Sequence, residues 1–132
     1  MQTMQQRRAQ YALRCVKEAT QNYQANKIFL KEYKSYAAAL PAMIHMNGLG
    51  QAVAFYRSKG GTHQELYKLL SVWLCQEGQP FAGRTDLLAG IVDSDMHVYR
   101  LAQAEAQALM DWVKKFAKAY MADEDESNAS AV

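Results

Sequence analysis

Residues 93–120 read DSDMHVYRLAQAEAQALMDWVKKFAKAY, and their spacing decides the fold class. Tyr99, Ala102, Ala106, Leu109, Val113, Phe116 and Tyr120 recur at alternating steps of three and four, which gathers them into one stripe along an α-helix. Asp93, Ser94 and Asp95 precede the stripe and supply cap and first-turn acidity, where carboxylates meet orphan backbone N–H groups and the positive end of the helix dipole. The same periodicity can be followed outward from this segment in both directions.

Toward the amino end, Asp86 to Val92 reads as a helix of about two turns, set off by the connection Gln79-Pro80-Phe81-Ala82-Gly83, with Gly78 placed as the cap of the helix before it. That preceding helix carries Leu66, Leu69, Leu70, Trp73 and Leu74, and its start reads as a capping box, Thr62-His63-Gln64-Glu65, behind Gly60-Gly61. Pro41 is expected to stop a short helix over Ile28 to Leu40 and to sit in the first turn of the next one, which runs to Lys59. Asn47, Gly48 and Gly50 interrupt that next segment and predict a break or a close helix contact. From Met4 to about Gln24, Ala9, Ala12, Val16, Ala19 and Tyr23 form another three-four stripe. No stretch alternates with strand period, so the expectation is an all-α fold, a compact bundle of about five to six helices in a single domain over residues 1–122.

Beyond it, residues 123–132 are expected to form an acidic, disordered tail. Asp123 to Glu126 supply four of the thirteen acids, so residues 1–122 hold fifteen lysines and arginines against nine acids. Half the residues are hydrophobic and 21% are charged, as in an ordinary soluble globule. The start has no apolar stretch behind Arg7 and Arg8 and no run approaches a membrane span, so the chain reads as cytoplasmic with no membrane partner. Cys15 and Cys75 have no CxxC partner and suggest neither a zinc site nor a disulfide framework.

Catalytic and metal-binding patterns are missing. His45, His63 and His97 fall in three segments with no HExxH pair, Gly48-Leu49-Gly50 lacks the lysine and strand context of a phosphate loop, and Asp86, Asp93 and Asp95 stand where helix caps belong. The sequence therefore offers no catalytic residue, no metal site and no cofactor, and the chain reads as something other than an enzyme.

Basic faces remain. Arg7, Gln10, Arg14, Lys17, Gln21 and Gln24 fall opposite the first apolar stripe; Lys27, Lys31 and Lys34 repeat the arrangement on the second helix, and Arg57 and Lys59 close the third. Only Glu18 and Glu32 interleave between Arg7 and Arg57, so this charge is largely uncompensated and suits a phosphate backbone. The competing reading is a solvated face on a helical adaptor that binds protein alone. Lys114, Lys115 and Lys118, near the end of the last helix, are explained by the helix dipole and the acids that follow.

The segment from Leu40 to Phe55, LPAMIHMNGLGQAVAF, resembles the small subunit of the Cmr complex, the type III-B CRISPR RNA-guided effector. Arg8-Ala9-Gln10-Tyr11-Ala12, Tyr33-Lys34-Ser35-Tyr36-Ala37 and Trp112-Val113-Lys114-Lys115-Phe116-Ala117 support the resemblance, which covers most of residues 4–120. It implies a compact, non-catalytic helical subunit, present in more than one copy, stacked beside the backbone subunits and lining the groove that holds the guide RNA/target RNA duplex. The partners it implies are the other subunits, neighbouring copies and that duplex. The family pattern does not fix which bases meet RNA, so the candidates Arg7, Arg14, Lys17, Lys27, Lys31, Lys34, Arg57 and Lys59 come from the stripes.

Overall fold

A computed structural model describes residues 1–121, and among them six helices and no strand. These are α1 (Met4–Asn22), α2 (Lys27–Asn47), α3 (Leu49–Lys59), α4 (Gly61–Cys75), α5 (Leu87–Asp93) and α6 (Met96–Tyr120). The acidic segment 123–132 lies outside the described residues.

Local sequence sets most of the boundaries. Thr3 and Gln6 form a reciprocal capping box at the start of α1, and Asn26, Asp86 and Asp95 cap α2, α5 and α6 by accepting from the backbone N–H of Phe29, Ala89 and Val98. The expected box at Thr62 and Glu65 does not form. Gly60 and Gly61, at φ +66° and +54°, begin α4 two residues earlier, so Thr62 is already helical and its side chain is buried. Gly78 likewise is not the cap of that helix, which ends at Cys75 with Gln76 extended; Gly78, at φ +86°, bends the connection that follows.

Pro41 also departs from expectation. It lies inside α2, which continues unbroken to Asn47. A proline there removes one helical hydrogen bond and crowds the preceding turn, at a cost of about 3 kcal/mol. Tertiary packing outweighs that cost, because Pro41 and its neighbours Ala37, Leu40 and Ile44 are all buried, and the Gln107 side chain on α6 donates to the Pro41 carbonyl at 3.1 Å. The chain breaks instead at Gly48, whose φ of +86° separates α2 from α3, and Gly50 makes the close contact. A Cβ at Gly50 would stand 3.3 Å from both Ile91 and the Tyr99 hydroxyl.

The long α6 is the centre of the bundle, with α1 and α2 packed along it, α3 and α4 packed on α2 and on each other, and α5 packed on α4 and α3. Ala102, Ala106, Leu109, Met110, Val113 and Ala117 are its buried residues, and the three alanines allow its neighbours to approach closely. Tyr99 and Phe116 are partly buried and Tyr120 is exposed, so the apolar stripe outruns the core at both ends.

One polar cluster ties the first helix to the last. Arg8 donates to both Glu105 carboxylate oxygens, at 2.6 and 2.9 Å, and the Trp73 indole donates to the same carboxylate at 3.0 Å. Tyr11, stacked at a tilt 4.8 Å from Trp73, donates its hydroxyl to the Leu69 carbonyl at 2.6 Å. Cys15 and Cys75 are free thiols whose burial holds them above the ordinary cysteine value.

Candidate nucleic-acid interface

The eight candidate bases stand on three helices. On α1, Arg7, Arg14 and Lys17 are exposed, while the opposite face buries Tyr11, Ala12 and Val16. The Arg14 guanidinium lies over the Tyr11 ring, 5.4 Å from its centroid, and the Lys17 ammonium lies 5.5 Å from the centroid of Tyr120 at the end of α6. Tyr11 is fixed at both ring and hydroxyl by α4, so Arg14 rests on a rigid shelf. Aromatic shelves of this kind hold a cation in place without neutralising it.

Lys27 and Lys31 are exposed on α2 and Lys34 is half-buried. At the end of α3, Arg57 lies 5.7 Å from the Tyr67 centroid and Lys59 lies 5.4 Å from that of Phe55. The structure thus brings Arg14 and Lys17 together on the α1 face and places Arg57 and Lys59 on α3, a helix that shares no extensive packing face with α1. The stripes read from sequence are real faces, but they amount to separate basic patches.

Two features escape a reading by periodicity. The contact of Lys17 with Tyr120 sets the last turn of α6, which contains Lys118, beside the basic face of α1; the dipole accounts for Lys118 locally but says nothing of that neighbour. The second is Arg8, which belongs to the same basic run as Arg7 but turns inward to Glu105 and is withdrawn from the surface.

His63 is part of an aromatic wall. It stacks on Tyr36 at 3.7 Å and meets Tyr56 edge-on at 4.8 Å. Burial, then the charge of Lys59, lowers its pKa from the ordinary histidine value, against a smaller opposite pull from Glu32. Among the described residues no three histidine, cysteine or carboxylate side chains stand where they could hold a metal ion. No helix among them is long and apolar enough to cross a membrane. What the arrangement can do is present cations at fixed positions along helix faces, which suits a phosphate backbone and carries no means of reading base sequence there.

A family model described as CRISPR-associated protein (Cas_Cmr5) matches residues 4–120. The chain is 30% identical over 119 residues to the CRISPR system Cmr subunit Cmr5 of Thermus thermophilus, covering 90% of this chain and 96% of that one. A crystal structure of a CRISPR-associated Cmr5 family protein from Thermus thermophilus superposes with a TM-score of 0.73 at 30% identity, over 90% of this chain and 98% of that one. With the whole helical bundle matched in sequence and in structure, the chain belongs to the Cmr5 family, the non-catalytic small subunits of the type III-B CRISPR effector complex.

Proposed function

We propose that this subunit lines the groove holding the guide RNA/target RNA duplex in the cytoplasmic complex, stacked beside the backbone subunits and against neighbouring copies of itself. Arg7, Arg14, Lys17, Lys27, Lys31, Lys34, Arg57 and Lys59 are the residues that meet phosphate. The observation that carries this reading is the exposed α1 face, where Arg14 and Lys17 are held over aromatic rings with few acids nearby in sequence. Each duplex phosphate neutralised adds about 0.9 to the slope of log affinity against log salt, so the few contacts of one subunit bind RNA weakly at physiological salt. Copies aligned along one groove add their contacts at high effective concentration, and the assembly binds where the free chain barely does.

Reversing Arg14, Lys17 and Lys31 to glutamate tests this. All three are exposed, so the variant is expected to fold and assemble normally by circular dichroism and size-exclusion chromatography. The complex that contains it should lose most of its affinity for target RNA and show a shallower salt dependence. Unchanged affinity and slope in an assembled complex would show that the basic face is solvated surface and that the subunit acts as an adaptor for protein alone.

A further inference from the structure

The segment Leu40 to Phe55 is only partly explained by packing. Leu40, Ile44, Leu49, Ala52 and Val53 are buried. Asn47, Gln51, Phe55 and Lys59 are exposed and, with Met43, which is half-buried against the core, stand each four residues from the next in a file that runs across the Gly48 break from α2 onto α3. Its first four members line a single open groove of about 450 Å³. Phe55 is 42% exposed, a large apolar ring left in water at one end of the groove. Its orientation is held from behind, where His63 meets it edge-on at 6.1 Å while stacking on Tyr36. Lys59 supplies a cation 5.4 Å from the ring centroid.

We propose that this groove receives one unpaired RNA base. The base stacks against Phe55, the side-chain amides of Asn47 and Gln51 hydrogen-bond to its edge, and Lys59 swings to the attached phosphate. Several features favour this ligand class over a peptide. The amides offer both donors and acceptors, as a base edge does, and an apolar side chain inserted there would leave them unsatisfied. No carboxylate lines the groove, and the cation stands beside the aromatic ring, as it must for a ring joined to a phosphate. A base inside a duplex keeps its faces stacked and its edge paired, so the nucleotide taken up is single-stranded or extruded. This inference rests on the reading that the subunit meets RNA, but it concerns a different surface from the α1 face and a different kind of contact.

The test holds phosphate charge constant. The full chain is titrated by NMR with a short single-stranded RNA and with an abasic RNA of the same length, following the Asn47 and Gln51 side-chain amides and the Phe55 ring. Saturable shifts with the first RNA and not the second are expected. Base stacking on an aromatic ring changes affinity by about 5- to 150-fold, so F55L, which keeps an apolar side chain without a π face, should bind the single strand weaker by a factor in that range. F55Y should restore the affinity, with the salt slope unchanged in both. Equal shifts with both RNAs, or an F55L affinity equal to that of the native chain, would overturn the stacking site and leave phosphate contact standing. If neither RNA shifts these signals, the stacking site is overturned, whereas the groove-lining reading is decided separately by the triple variant in the assembled complex. Shifts of these amides that come only from a neighbouring protein subunit would make the groove a protein contact and overturn the inference as well.

Discussion

Glu105 accepts from Arg8 and Trp73 at once, so one carboxylate joins α1, α4 and α6. Burial pushes its pKa up, but the hydrogen bonds from Arg8 and Trp73 and the guanidinium charge outweigh that, and the net shift is downward from the ordinary value of 4.5. A carboxyl depressed in the folded state adds stability that is fully present above the unfolded value and lost as pH falls through the folded one. Glu105→Gln should therefore destabilise the fold by about 2 to 4 kcal/mol near neutral pH, since it leaves the Arg8 charge without its partner. Part of that difference should vanish in acid, where the carboxyl of the unfolded chain protonates and the advantage of the depressed native one is progressively lost. Urea unfolding of both proteins at about pH 7 and about pH 3 measures each part, and an equal difference at the two values would mean that charge is not what Glu105 contributes. None of this is legible from spacing, because Arg8 and Glu105 lie 97 residues apart and each sits on an ordinary-looking polar face.

Among the elements, α3 shows how local and distant information divide. Its N-cap is Gly48, which has no side chain to accept from the first-turn N–H groups. The cap comes instead from α6, where the Gln103 side chain accepts from Leu49 at 2.9 Å and the Tyr99 hydroxyl accepts from Gly50 at 2.8 Å. Tyr99→Phe should cost about 0.5 to 1.5 kcal/mol in thermal or urea unfolding, with amide exchange accelerated selectively in the first turn of α3 rather than over the whole bundle. The glycines at 48 and 50 are visible in sequence as a break or a close helix contact, and the structure makes Gly48 the break and Gly50 the contact. The residues that complete the helix end belong to a segment some 50 positions away and are not. Helices α1, α5 and α6 are legible because their caps and stripes lie within their own sequence. Pro41 misleads for the opposite reason: local chemistry argues for a stop, and packing against α6 overrides it. The basic faces divide in the same way. Arg14 over Tyr11 and Lys59 over Phe55 are neighbours one turn apart, whereas Lys17 over Tyr120 and Arg57 over Tyr67 depend on helix packing that periodicity cannot supply.

At the scale of the molecule, α6 is the common partner of α1 and α2, and the most extensive helix packing in the bundle is made on it. A chain ending at Ser94 loses the buried residues Ala102 to Ala117, and the remaining helices keep apolar faces with nothing to cover them. Such a truncation should show reduced helix per residue by circular dichroism and no cooperative thermal transition, whereas a cooperative transition would mean that α2, α3 and α4 form a core of their own.

The Arg8–Glu105 bond also has a meaning in time. Synthesis proceeds at roughly 5 to 20 residues per second, so the 97 positions between the two residues correspond to roughly 5 to 20 s of elongation during which α1 has been made and its main partner has not. A hydrophobic collapse among the earlier helices is complete long before that, within about 100 μs. For most of its time on the ribosome the growing chain therefore carries the sequence of α1 without the helix that α1 packs on most extensively, and the Arg8–Glu105 bond can form only after α6 has been made.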